Sequence, residues 1–167
     1  LPYRRNKMGV INVTAGSQAV LTLGTTATMA RPAGTNGMII PLLQDLTIAS
    51  TPGSVSYSVL SSGSSQSFTT VTENNVSANM LVDEETMFGL ASAGGLNTIA
   101  DNGLFKTSKA KTEIFFSVGF EGSDSTDYYW EGKGFIGGLA PTASIDAAVW
   151  ISPLEIIVTG ELTQGNV

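Results

Sequence analysis

The chain has 167 residues, 42% of them hydrophobic and only 13% charged, with a formal net charge of −6 and neither cysteine nor histidine. This length suits one domain with a hydrophobic core. The missing residue types exclude disulfides, thiolate or imidazole metal ligands, and serine–histidine or cysteine nucleophiles, and the acidic balance argues against a sequence-reading DNA-binding protein.

Charged residues are about half as frequent as in an average soluble domain. Either small polar residues cover most of the surface, or the surface is hidden in contacts with other chains. The composition is typical of a protein that packs among copies of itself, and it suits a secreted β-domain as well. No apolar run approaches the roughly 18–20 residues of a membrane span, so we expect no stable membrane association.

The N-terminal residues 1–7 are rich in cations, with Arg4, Arg5 and Lys7 close together. No apolar segment follows them, so we do not interpret them as a signal peptide. We expect residues 1–7 to form a flexible arm, followed by a single β domain over residues 8–167.

Alternation of apolar and polar residues, with a period of two, predicts β-strands along most of the chain. The alternation is clearest around 19–23, 54–59, 113–120 and 154–159. Turn-forming clusters separate these stretches, among them the Thr-Pro-Gly sequence at 51–53. The pattern therefore predicts a mainly β fold.

A hairpin is predicted where the strands Ser54–Leu60 and Gln66–Thr72 flank a Ser/Gly-rich loop at 61–65. Both faces of this hairpin are rich in Ser and Thr, which makes it a weak candidate for the hydrophobic core. A hairpin that buries little in its own subunit often pairs with another one. An ordinary solvated hairpin fits the residues equally well.

One segment, near 83–93, predicts a short helix, followed by a loop through about Gly103. Asp83 can cap its N-terminus, two glutamates follow in the first turn, and the glycines at 94–95 end it. The acidic cluster at its start is not a catalytic pair, because adjacent residues on a helix do not face each other.

The firmest hairpin joins the strands 112–121 and 127–136 through a short polar connection. We expect its aromatic residues to form the centre of the core by cross-strand packing, together with Trp150 of the next strand. These aromatic residues are Phe115, Phe116, Phe120, Tyr128, Tyr129, Trp130 and Phe135.

No constellation of residues in the chain predicts chemistry. Asp124 and Asp127 lack the further oxygen ligands of a calcium loop. The glycines beside Lys133 lack the Walker pattern and a following helix, and we interpret them, with Gly137 and Gly138, as sites of close strand packing or of bulges. We predict no catalytic residue, no cofactor and no metal, and we expect that the protein is not an enzyme.

The C-terminal part of the chain carries a recognisable series of strands and small residues. Tyr128–Leu139 is an aromatic strand that runs into Gly-Lys-Gly-Phe-Ile, a small-residue loop contains Asp146, and a closing strand over 154–162 ends in Thr-Gly-Glu-Leu. Together these features resemble the C-terminal signature of phage major tail proteins, which are the tail tube proteins. The resemblance covers about residues 112–164, whereas residues 8–80 carry none of the family's motifs.

This resemblance implies a β-sandwich or partly closed barrel with one short flanking α-helix and an extended hairpin. It also implies hexameric rings that stack into a hollow tube, whose lumen conducts DNA during ejection, in the tail of a virion assembled in the host cytoplasm. The implied partners are other copies of the chain, tape-measure and tail-terminator proteins, a sheath protein if the tail is contractile, and DNA in transient, non-specific passage.

Two groups of residues are candidate sites under this resemblance. Because attraction to phosphate comes from Lys and Arg, we hypothesise that the Ser/Thr-rich hairpin and one polar strand face join subunits and line the lumen. The hairpin residues are Ser54, Ser56, Ser58, Ser67, Thr69, Thr70, Thr72 and Glu73. We also hypothesise that Arg4, Arg5 and Lys7 reach the acidic surface of a neighbouring subunit or ring, with a disordered, solvated tail as the alternative.

Other functions stay open on the residues alone. A phage capsid decoration protein or a head–tail connector protein would also be small, acidic and β-rich. A secreted carbohydrate-binding β-sandwich would need exposed coplanar aromatic residues. The tube of the bacterial type VI system shares the tail-tube fold, so a contractile secretion system is a further alternative.

Overall fold

The computed structural model describes residues 19–32, 34, 36–58, 65–89, 99–120 and 128–166. The mainly β fold that the alternating pattern predicts is confirmed. Of the helices in these ranges, none has the length and apolar character that a membrane crossing requires. The elements are β1 Ala19–Gly24, α1 Ala27–Ala30, β2 Met38–Ile39, β3 Leu43–Ser58, β4 Ser65–Leu81, α2 Glu84–Phe88, α3 Ile99–Lys109, β5 Ile114–Phe120, β6 Tyr128–Leu139, β7 Thr142–Ser144, β8 Ala147–Val158 and β9 Thr163–Asn166.

The described strands form a single antiparallel sheet, in the order β2-β1-β5-β6-β8-β4-β3, with β7 beside β8 and β9 beside β6. The two ends of this order are consecutive in the chain, because only residues 40–42 separate β2 from β3. Ile40 N donates to Leu21 O of β1 at 2.9 Å, and Leu81 N of β4 donates to Leu42 O at 3.1 Å. A connection of three residues spans at most about 14 Å. The sheet must therefore curl until its end strands β2 and β3 come close to each other. The sheet is open, since no ladder joins β2 to β3 in the described residues, and its curl matches the expected partly closed barrel.

One face of the curled sheet, which we call the inner face, supplies the hydrophobic core. Along β4, Val76, Ala78 and Met80 are buried, while the residues between them are partly exposed. This is the period of two that places alternate side chains on opposite faces of a strand. The other strands and the helices α2 and α3 contribute the buried side chains of Leu21, Leu23, Met87, Ile99, Leu104, Ile114, Phe116, Leu154 and Ile156.

Helix α2 begins where the sequence predicts it. The carboxylate of Asp83 accepts a hydrogen bond from Thr86 N at 3.2 Å and so caps the first turn. The helix ends earlier than expected, at Phe88, because Gly89 adopts a φ of 91° and leaves the helical conformation.

Helix α3 contradicts the predicted loop through Gly103, since it begins at Ile99. Ile99 is 2% exposed and Leu104 is fully buried, so packing against the core holds this segment in helical form. Gly103 interrupts the regular helix with a φ of 72°, and a side chain there would overlap the backbone of Phe88 and Gly89. Tertiary burial thus overrides the weak helix propensity of the sequence.

The first predicted hairpin is longer in the structure than the sequence suggests, because β3 and β4 run from Leu43–Ser58 to Ser65–Leu81. The predicted turn at 51–53 is wrong, since these residues lie within β3. β3 is the outermost strand at its end of the sheet, and an edge strand tolerates a proline, which has no N–H for the hydrogen-bond ladder. The predicted loop at 61–65 falls largely outside the described residues.

The second predicted hairpin is present as β5 and β6. Phe116 is fully buried and Tyr129 is 5% exposed, and Phe115 and Phe135 are partly buried. For these residues the expected cross-strand core is confirmed. The side chain of Phe120 and the connection between the strands lie outside the described residues.

Three other aromatic residues that were expected in the core are exposed. The exposed fractions are 62% for Tyr128, 42% for Trp130 and 55% for Trp150. Consecutive residues of a strand point to opposite faces, so the run around Tyr129 cannot enter one core together. This part of the prediction is wrong, because aromatic content was weighed without the period of the strand.

The glycines of β6 behave as the sequence predicts. The register of β6 against β8 shifts between Ile136 and Gly138, which places a bulge at Gly137. A side chain at Gly134 would overlap the backbone of Ile157, so this glycine permits close approach of the two strands.

Candidate assembly interface

The β3–β4 hairpin extends beyond the rest of the sheet. β3 and β4 pair along most of their length, whereas β8 pairs with β4 only over 75–81. Residues 51–58 and 65–73, which we call the tip, therefore have no third strand beside them within the described part of the chain. Every residue of the tip whose burial is described is exposed, except Gly53, which is partly buried. At about 3.3 Å per residue, the tip is roughly 25 Å long.

One face of the tip carries small hydroxyl side chains. Because the side chains of a strand alternate, this face continues the inner face of the sheet beyond the core. We call it the hydroxyl face, and it brings together five of the residues predicted for the lumen or the subunit contacts. The register pairs Ser54 with Thr69, Ser56 with Ser67 and Pro52 with Thr72, and the side chain of the predicted Ser58 lies outside the described residues.

Two of the predicted residues, Thr70 and Glu73, do not belong to the hydroxyl face. The register shifts across 52–54, so that β4 carries one extra residue there. Thr70 lies over Gly53, where an added Cβ would overlap the Thr70 hydroxyl, and Glu73 lies on the opposite, outer face of the sheet. The predicted residues thus occupy two surfaces, and the bulge between them adds local twist.

The outer face of the tip carries an apolar cluster that the sequence analysis missed. Val55, Tyr57 and Phe68 are 55%, 43% and 57% exposed. The rings of Tyr57 and Phe68 stack with centroids 5.5 Å apart at an interplanar angle of 13°, and the Tyr57 hydroxyl donates to Gln66 Oε1 at 2.8 Å. We call these three residues the tip patch. The alternation of Val55 and Tyr57 with serine was visible in the sequence, but their partner Phe68 needed the register.

The outer face of β3, β4 and β8 is acidic. These three strands contain no Lys or Arg, and their carboxylates Asp45, Glu73 and Glu155 all lie on this face. Asp45 is held in place by Asn79, whose backbone N and Nδ2 donate to the two carboxylate oxygens at 3.0 and 2.7 Å. These strands therefore place no cationic side chain on either face of the sheet, and a phosphate that approaches them finds no Lys or Arg of β3, β4 or β8 to bind.

An open cleft of about 990 Å³ lies at the base of the hairpin, between β4 and the turn that follows β8. Three carboxylates line it, those of Glu73, Glu155 and Glu161, and its lining contains no Lys or Arg. Asn74 lines the same cleft and bonds to the turn through Nδ2, which donates to Gly160 O at 3.1 Å. We call this the acidic cleft.

Two cations of the described residues are bound to carboxylates elsewhere. Arg31 Nε lies 3.2 Å from Glu131 Oε2, and this hydrogen bond and the charge of Glu131 raise the pKa of Arg31. Lys133 Nζ lies 3.5 Å from Glu113 Oε1. The predicted arm cations Arg4, Arg5 and Lys7 lie outside the described residues.

The described residues offer no arrangement of three or more acidic side chains that could hold a metal ion. Asp124 and Asp127, which were considered and rejected as a calcium loop, lie outside the described residues. The acidic residues at 83–85 form the start of α2, with Asp83 as its cap.

No protein-family model matches the chain, and a search of curated proteins finds no match to its sequence.

Solved structures of tail tubes resemble the chain over nearly its whole length. A chain from the tail of an empty gene transfer agent particle, determined with C6 symmetry, matches with a TM-score of 0.63 and 13% identity over 90% of this chain and 98% of its own. The SPP1 tail tube protein matches with a TM-score of 0.62 and 10% identity, over 93% of this chain and 80% of its own.

A chain from the sheath–tube complex of an extracellular contractile injection system also matches, with a TM-score of 0.54 and 9% identity over 95% of both chains. At such low identity these likenesses establish the fold. The chain has the tail-tube fold, which confirms the fold that the C-terminal resemblance implied.

Proposed function

We propose that this chain is the subunit of a phage tail tube, a structural protein of the virion tail that conducts DNA during ejection. The observation that carries the proposal is the tail-tube fold, which extends over 90% or more of this chain in both the gene transfer agent tail and the SPP1 tail tube. The described residues offer the surfaces that such a subunit needs and no recognisable site of catalysis.

The proposed assembly is a hexameric ring that stacks into a tube. The neighbour from the gene transfer agent tail was determined with C6 symmetry, which supports six subunits per ring. β3 ends the sheet of the described residues and offers a long unpaired edge, and β4 offers a second one along the tip. Such edges invite pairing with another chain, and closure of a ring removes them from solvent.

The tip patch gives this assembly an apolar contact. Val55, Tyr57 and Phe68 are exposed aromatic and branched side chains at the end of a projecting hairpin, in a protein with few charges. Aromatic residues of this kind are enriched at the centres of protein interfaces. We propose that the tip patch packs on a second copy of the chain.

β3 and β4 also form the proposed lining of the lumen. Because neither strand carries a Lys or Arg, the hydroxyl face and the acidic outer face both present DNA with neutral or negative groups. Phosphate binding comes from neutralising cations, so a lining without them lets DNA slide. We propose that the lining includes Ser54, Ser56, Ser67, Thr69 and Thr72 of the tip or the carboxylates of the opposite face.

The other proposed partners are further proteins of a phage tail. We propose that the tube binds a tape-measure protein inside and a tail-terminator protein at its end, and that it is assembled in the host cytoplasm. The likeness to a sheath–tube complex favours, as a second candidate, the tube of a contractile injection system with a sheath around it. Tubes joined to DNA-filled heads would support the first candidate, and headless sheathed tubes the second.

Electron microscopy of the purified full-length chain, and of the particles that contain it, tests the proposal. We expect stacked six-membered rings around a continuous channel wide enough for duplex DNA. Monomers at all concentrations, together with particles whose tails lack the chain, would refute the proposal. A coat on an icosahedral shell would instead establish a decoration protein, and a single ring at the neck a head–tail connector.

A further inference from the structure

The hairpin leaves the rest of the sheet beside Asn74, which is the buried residue of β4 nearest to the tip. β8 pairs with β4 only as far as the pair of Asn75 and Ile157, and the tip lies beyond this pair. Asn74 points to the inner face, as Val76 does, at the border between the hydroxyl face and the hydrophobic core. The angle of the tip to the rest of the sheet is therefore set at Asn74.

A side-chain hydrogen bond continues the connection where the strand ladder ends. Asn74 Nδ2 donates to Gly160 O at 3.1 Å. The turn that contains Gly160 is itself held, because Thr159 N donates to Lys133 O of β6 at 2.7 Å. The Thr159 hydroxyl also donates to Glu113 Oε1 at 3.0 Å. Asn74 thus joins the base of the hairpin, through this turn, to β6.

The same side chain is unfavourable for the stability of a single subunit. Asn74 is 9% exposed, and its buried Oδ1 has no hydrogen-bond partner within the described part of the chain. A buried acceptor without a donor is costly, whereas an apolar group of the same shape is nearly neutral or stabilising. Val76 and Ala78, which follow on the same face, are apolar and buried. Stability alone would favour leucine here, so the bond to the turn is the feature that requires asparagine.

A small rotation at the base of the hairpin becomes a large displacement at its end. The tip is roughly 25 Å long, so a rotation of about 10° at Asn74 moves the end of the tip by about 4 Å. The cores of protein interfaces are packed as densely as protein interiors, with few voids larger than a water molecule. A displacement of this size would separate the tip patch from any surface that fits it. A subunit that binds through its tip therefore needs a fixed angle at Asn74.

We propose that Asn74 is the positioning residue of the assembly interface: its hydrogen bond to Gly160 O holds the tip at the angle at which a second copy of the chain binds it. The bond orients the tip patch and the hydroxyl face together, because both lie beyond Asn74 on the same two strands. The inference rests on the proposed function for the second copy, which the assembled tube supplies. The angle itself is a property of one subunit and can be measured there.

The first experiment compares Asn74→Leu with Asn75→Leu in the unassembled full-length chain. Leucine has the same number and arrangement of side-chain atoms as asparagine but no polar atom. Asn75 is the matched control, because it is the next residue of the strand and points to the opposite face. The chain contains no cysteine, so spin labels can be attached without background at Ser67→Cys in the tip and Lys109→Cys on α3. Pulsed electron paramagnetic resonance then gives the distribution of distances between the two labels.

We expect one narrow distance distribution in the parent chain and in Asn75→Leu. In Asn74→Leu the distribution should broaden by about 4 Å, the displacement that a rotation of about 10° produces. The midpoint of thermal denaturation should stay equal or rise, because the unsatisfied acceptor is gone. An unchanged distance distribution would overturn the proposal. A lowered midpoint together with the broadening would assign Asn74 an ordinary stabilising role, and would overturn it too.

Sedimentation of assembled tubes connects the angle to assembly. If one hydrogen bond selects the angle that can bind, Asn74→Leu should raise the critical concentration about fivefold although its subunit is no less stable. A broadened distance distribution with an unchanged critical concentration would show that a second copy does not need the fixed angle, which contradicts the proposal. If the parent chain itself forms no tubes, the proposed function fails, and the distance distributions still decide whether Asn74 fixes the tip.

A change at the other end of the hydrogen bond provides an independent check. Gly160 has a φ of 95°, which residues with a side chain rarely adopt, and nothing lies within 4 Å of the position of an added Cβ. Gly160→Ala therefore disturbs the conformation of the turn without a steric overlap, and it should also raise the critical concentration. The double variant N74L/G160A should assemble no worse than the weaker single variant. Effects that multiply would show that the two residues act separately, and would contradict the proposal.

Discussion

The substitution Phe68→Ser isolates the contribution of the tip patch to assembly. A phenylalanine side chain offers about 200 Å² of surface, and Phe68 is 57% exposed, so a neighbouring subunit can cover about 115 Å² of it. At about 25 cal/mol per Å², this contact contributes about 3 kcal/mol, which corresponds to roughly a hundredfold change in an association constant. The isolated subunit loses only the stacking on Tyr57, about 1 kcal/mol of unfolding free energy.

The assay measures both quantities on the same protein. Sedimentation of assembled tubes over a range of concentrations gives the critical concentration, which we expect to rise strongly for Phe68→Ser. Urea denaturation of the unassembled chain gives the unfolding free energy, which we expect to change little. Phe88→Ser is the matched control, because Phe88 is 66% exposed and also contacts one aromatic ring, Phe105, but lies on α2 away from the hairpin.

Two results would refute this reasoning. An unchanged critical concentration for Phe68→Ser would show that no neighbour covers the tip patch. An equal rise for Phe88→Ser would show that assembly responds to any loss of exposed aromatic surface, in which case the hairpin has no special part in it.

Three further predictions concern the fold and the lumen. Asp83→Ala removes the cap of α2 and should lower the unfolding free energy by about 1 kcal/mol in thermal or urea denaturation, whereas Glu84→Ala, one residue later, should change it by much less. Gly103→Ala should cost about 2 kcal/mol or more because of its φ of 72° and the overlap with α2, and a stability equal to that of the parent chain would contradict the described contact of the two helices. Ser56→Lys and Thr47→Lys place a cation on opposite faces of β3, and the one that faces the lumen should slow DNA release from particles in a salt-dependent way; if neither does, β3 does not line the channel.

The strands and their faces were accessible from the sequence because a period of two is a local signal. The buried Val76, Ala78 and Met80 and the alternating serines of the tip follow from that period alone. The same rule, applied to the run around Tyr129, would have predicted that Tyr128 and Trp130 cannot share its environment. The prediction for Tyr128 and Trp130 was wrong because it considered the number of aromatic residues in the strand and not which face each of them occupies.

Features that depend on contacts between distant parts of the chain could not be predicted from the sequence. The stability of α3 comes from burial of Ile99 and Leu104 against distant strands, and no local pattern reports that burial. The tip patch depends on the cross-strand register that places Phe68 beside Tyr57 and opposite Val55. The acidic cleft joins Glu73 to Glu161 across the fold, and only the folded chain brings these carboxylates together.

The pairing of β1 with β5 has a consequence for the order of events in synthesis. Thr22 lies opposite Ser117, so the edge of β1 that faces β5 stays unpaired until most of the chain is made, although its other edge pairs with the nearby β2. Closing so long a loop is slow, and local units such as the β3–β4 hairpin form sooner. A nascent chain therefore displays its hairpin before the sheet is complete, and only a finished subunit presents the hairpin on the full sheet. In the proposed tube, completion of the chain would therefore come between formation of the hairpin and polymerisation.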